Sequence, residues 1–77
     1  MTAQERDLTV MMTNALHSLA AVQLECSSQG NLIADMLPGL TADQRKELKF
    51  KSQIHATHSA KIKDQAEALD ACINSNV

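Results

Sequence analysis

The stretch LPGLTADQ, residues 37–44, decides how this chain folds. Proline disfavours helical geometry in the residue before it, so a helix arriving from the N-terminal side stops at Leu37. Gly39 then permits a tight turn. Thr41-Ala42-Asp43-Gln44 follows at once with the form of a capping box, in which a hydroxyl caps the new helix and the side chain three residues on reaches back. The octet closes one helix and opens another with almost no chain between them, and two helices so joined lie side by side.

Outward toward the N-terminus, Thr2-Ala3-Gln4-Glu5 is a second capping box. From there Leu8, Met12, Ala15, Leu19, Val22, Cys26, Gln29, Ile33, Met36 and Leu40 recur at alternating spacings of four and three, with Gln29 the one polar member. That is the pattern of a heptad seam. Ser27-Ser28-Gln29-Gly30-Asn31 offers a rival helix end, with Gly30 in the left-handed conformation. The seam keeps its phase through Ile33 and Met36, which favours one helix to Leu37 with Gly30 costing about 1 kcal/mol. Outward toward the C-terminus, Leu48, His55, Ile62 and Leu69 stand seven apart, and Ile54, His58, Ala66, Cys72 and Ile73 fall on the same side.

The predicted fold is all-α: residues 1–77 as a single antiparallel two-helix hairpin, coiled-coil-like, with a helix over about 2–37, a turn at 38–40 and a helix over about 41–74. Each rod is roughly 50 Å long at 1.5 Å per residue. The predicted hairpin seam comprises Leu8, Met12, Ala15, Leu19, Val22, Cys26, Ile33 and Met36 against Leu48, Ile62, Leu69 and Ile73. The first helix carries a further strip, Ala3, Val10, His17 and Leu24 with Ala21 beside it, and the second offers Ala60, Ala68, Ala71 and Phe50. Two hairpins cover such strips by dimerising into a four-helix bundle. Val10, Met11, His17, Leu24 and Phe50 are therefore candidate partner-binding residues, against the blander reading of scattered surface apolar groups.

Composition narrows the function classes. A net charge of -2 and a pI near 5.8 provide no basic surface for nucleic acid. The longest apolar run, Leu19 to Val22, is far too short to span a membrane, and Glu5 and Asp7 stand where a signal peptide would be basic, so a soluble, cytoplasmic protein is expected. Glycine-rich phosphate loops, a serine elbow and paired carboxylates are all missing, which argues against an enzyme, a cofactor or a small-molecule substrate. Cys26 and Cys72 fit no CxxC pattern and read as small seam residues.

The remaining chemistry lies in His55 and His58, three apart on the inner side of the second helix. Facing residues in the hairpin total about 78 in number, which sets these histidines against Val22 and Leu19. A His-x-x-His pair chelates zinc only with further ligands, and Cys26 is the one plausible third. With no carboxylate to complete the set, the reading is no metal site but polar members of the seam, with a pH-responsive seam or a metal site at His55, His58 and Cys26 as alternatives. The run Arg45-Lys46-Glu47-Leu48-Lys49-Phe50-Lys51 reads either as a solvated helix face or as a docking patch for an acidic partner anchored by Phe50.

In its short Met-Thr start, amphipathic helix, tight turn and second helix opening at Ala42-Asp43-Gln44, the chain resembles the small helical-hairpin co-chaperones of type III secretion needle subunits. The resemblance is one of length and layout over about residues 20–73, and the chain differs in its longer first helix and polar-seamed second helix. It implies a cytosolic chaperone forming a heterodimer, its exposed stripe holding a partner helix. The expected function is thus a non-enzymatic protein-binding module, an adaptor, co-chaperone or inhibitor, in a homodimer or heterodimer. The alternatives are a homodimeric four-helix-bundle regulator of phage or plasmid type acting on a host protein, and a His-based metal or pH sensor.

Overall fold

The computed structural model describes residues 1–75 and contains two α-helices, α1 (Ala3–Met36) and α2 (Ala42–Ser75), each of 34 residues. At 1.5 Å per residue each rod is about 51 Å long, in keeping with a molecule of 56 × 13 × 11 Å. Gly30 lies inside α1, which runs through Ser27–Asn31 unbroken.

Local hydrogen bonding fixes the helix ends. The Glu5 amide donates to Thr2 Oγ1 at 3.1 Å, and the Thr2 amide donates to Glu5 Oε1 at 3.2 Å. The same reciprocal pair forms between Thr41 and Gln44, at 3.1 and 2.9 Å. Each box satisfies amides that have no partner in a helix's first turn. At its other end α1 stops at Leu37, whose backbone is extended at φ -80 and ψ 119 ahead of Pro38. Neither glycine has a positive φ, so the turn does not use the conformational freedom that Gly39 offers.

Burial marks the seam residue by residue. On α1 the buried residues are Thr13, Ala20, Ser27 and Ala34, seven apart, with Thr9, Leu16, Gln23 and Gly30 half-buried between them. On α2 they are Ser52, Ser59, Ala66 and Ile73, again seven apart, with Leu48, His55, Ile62 and Leu69 between. Contacts pair Gln23 with His55, Ala20 with Ser59 and Ala34 with Arg45, so numbers rise along α1 as they fall along α2.

This corrects the predicted seam of α1. Leu8, Met12, Ala15, Leu19, Val22, Cys26, Ile33 and Met36 are all exposed. The true seam is the same four-three repeat moved one residue on, about 100° around the helix. The cause lies in α2, whose Ser52, Ser59 and Ala66 are small. They mesh with Thr13, Ala20, Ser27 and Ala34, whereas leucines and methionines at those layers would hold the rods apart. On α2, Leu48, Ile62 and Leu69 are half-buried and Ile73 is buried, but Ile54, His58 and Cys72 face outward.

Candidate functional site

The seam is polar yet satisfied. Thr13 is 2% exposed, and its hydroxyl donates to the Thr9 carbonyl one turn back at 2.9 Å. Ser59 Oγ donates across the interface to the Ala20 carbonyl at 2.7 Å. His55 Nδ1 lies 2.6 Å from Gln23 Oε1. No buried side-chain nitrogen or oxygen among the described residues lacks a partner. The Ser59 and His55 contacts tie the two helices together, and none of these groups is an unmatched polar atom aimed into a cavity.

The histidines are thereby separated. His55 sits against Gln23 rather than Val22, while His58, expected opposite Leu19, is exposed. His17 lies beside Asp70, with Nε2 to Oδ2 at 3.1 Å. Cys26 and Cys72 are both exposed, which corrects their reading as buried seam members. Among the described residues no group of three His, Cys, Asp or Glu side chains is gathered as a metal site.

The basic run is divided as well. Arg45 is half-buried, and its guanidinium donates to the Ala34 carbonyl and, at 3.0 Å, to that of Leu37, so the first turn of α2 caps the last turn of α1. Lys49 pairs with Asp35 at 2.8 Å and Lys51 with Glu47 at 3.2 Å, both exposed pairs of little energetic weight. The Arg45 cap has no local signature, because the carbonyls it meets are eleven and eight residues away. An open hollow of about 240 Å³ lies near the hairpin end, lined by Leu40, Gln44, Glu47, Leu48 and Lys51.

What remains is a surface. Leu8, Met12, Leu19, Val22, Ile33 and Met36 are between 46 and 71% exposed, and with Ala15 and Cys26 they form a row along α1 beside the seam, interrupted once by the polar Gln29. Met11 and Leu32 border it. Of the other predicted partner-binding residues, Val10, His17 and Leu24 lie one residue past Thr9, Leu16 and Gln23, on the opposite flank. Phe50 stands two residues from both Leu48 and Ser52, on the far side of α2, and is 65% exposed. The structure thus spreads the predicted partner set over three faces, and it exposes the long apolar row that the sequence reading had placed inside.

Among the described residues no helix is long and apolar enough to cross a membrane. Compared with protein-family models, with curated proteins and with solved structures, the chain matches none.

Proposed function

We propose that this chain is a non-enzymatic protein-binding module, an antiparallel helical hairpin that works by presenting the apolar row of α1 to a partner protein. The observation that carries the reading is that row: large apolar side chains repeating over most of α1 and left uncovered by α2. Single exposed apolar groups are ordinary on a soluble protein, but a contiguous apolar strip marks an interaction surface. A heptad row is also the pattern by which one helix face docks on another. The co-chaperone role implied by the layout resemblance is one form such a module takes.

The satisfied seam supports the same division of labour, with α2 bracing α1 through small and polar residues and leaving the large ones for a partner. The test is co-purification of the tagged chain expressed in its own cells, against a Leu19→Asp/Ile33→Asp variant and a Lys63→Glu control on α2. A bound protein, whether a second copy or a different chain, is expected with the wild type and the control and absent from the double variant. Retention of the same protein by all three would remove the row from the binding surface.

A further inference from the structure

Resting on the reading of α1 as a binding face, we infer that its occupant is a second copy of this chain, with the two α1 helices packed antiparallel about a two-fold axis near Val22. Three observations point to the same arrangement.

The first is area. A compact monomer of 8.4 kDa exposes about 4,600 Å², whereas this hairpin exposes 5650 Å². Its radius of gyration is 17.3 Å, where a compact chain of this length has about 11.5 Å. The surplus of about 1,000 Å² is close to the roughly 800 Å² that each partner gives up in a stable interface of standard size. The buried apolar residues are Ala20, Ala34, Ala66 and Ile73, too small a core for a chain of this size to rely on alone.

The second is symmetry in the sequence of the row. Val22 is midway between Leu8 and Met36, and Ala15 and Gln29 likewise stand seven residues to either side of it. Reversing the row about Val22 places Leu8 and Met12 of one copy against Met36 and Ile33 of the other, apolar upon apolar, with Ala15 against Gln29 as the one mixed pair. A two-fold interface requires such a self-complementary surface.

The third is the distribution of charge between the helices. From Leu8 to Ala34 the one Asp, Glu, Lys or Arg is Glu25, with His17 the one histidine, and α1 holds five Asp, Glu, Lys or Arg residues where α2 holds eleven. A helix nearly free of charge around its circumference belongs in an interior. The row presents no charge that would call for an opposite one on a different protein. Packing α1 on α1 puts the two helices poorer in charge inside and the two richer in charge outside.

The wild-type chain is first weighed in solution by light scattering, where a mass twice 8.4 kDa is expected. In a Cys26→Ser/Cys72→Ser background, Val22→Cys, Leu8→Cys and Met36→Cys are then treated with a short bifunctional maleimide. Val22→Cys is expected to cross-link to itself. Leu8→Cys and Met36→Cys are expected to cross-link to each other when mixed and neither to itself. Self-cross-linking by all three would mean parallel helices and overturn the two-fold. A folded monomer at every concentration would overturn both the dimer and the binding-face reading. A monomer that becomes helical only when a different protein is added would overturn the dimer alone.

Discussion

At Gly30 the two helices come nearest to a steric conflict. A methyl group built there would overlap Ser52 Oγ, while Ser52 Cβ would stand at 3.5 Å, an ordinary contact. Helix propensity favours alanine over glycine by about 1 kcal/mol, so Gly30→Ala alone sets that gain against the overlap. In a Ser52→Ala background the obstruction is gone, and Gly30→Ala is expected to raise stability by about 1 kcal/mol. A urea-denaturation cycle over the four variants checks this, and a coupling near zero between the two sites would mean that Ser52 does not restrict Gly30. Gly39 is the opposite case, with nothing within 4 Å of an added Cβ and no positive φ. Gly39→Ala is expected to stabilise by about 0.4–1 kcal/mol by narrowing the unfolded ensemble. Arg45→Ala removes a charged donor from two carbonyls at the end of α1 and is expected to lower the thermal midpoint by roughly 5–10 °C.

At the scale of the elements, small residues govern how the helices meet. Ala20 is 7% exposed, Ala34 1% and Ala66 0%, so a larger side chain at these layers has no room. Ala20→Leu adds apolar surface and keeps helix propensity nearly constant, yet it is expected to destabilise by about 1–3 kcal/mol through overpacking, measured by urea denaturation. The helix ends were legible in the sequence because capping is local: Thr2 with Glu5 and Thr41 with Gln44 declare themselves within four residues. Leu37-Pro38 declares the stop in the same way. The choice of seam was not legible, because α1 carries two adjacent rows with the same four-three spacing, Leu8 to Met36 and Thr9 to Ala34. Periodicity shows that a face is buried somewhere, while which row meets α2 depends on side-chain sizes on the other helix. Hydrophobicity favoured the leucine row, and close packing of Ser52, Ser59 and Ala66 favoured the alanine row. His55 was legible as an inward polar residue, but its partner Gln23 belongs to the row that the leucines concealed.

For the whole molecule, the consequence is that burial within one hairpin and burial in the assembly are different quantities. Leu19 is 46% exposed in the single chain. If nothing covered it, Leu19→Ala would change stability by no more than about 0.5 kcal/mol. Covered by a second α1, it is expected to cost about 2–5 kcal/mol, the range for a leucine removed from a core. With the row so covered, the hairpin and its partner face would be coupled, since the covered row would supply an apolar core beyond Ala20, Ala34, Ala66 and Ile73. Thermal unfolding of the wild-type chain, followed by circular dichroism over a hundredfold range of concentration, tests this most directly. If folding and association are one process, the midpoint rises by several degrees with concentration; a midpoint that does not move, in a chain that stays helical and monomeric throughout, would contradict the account.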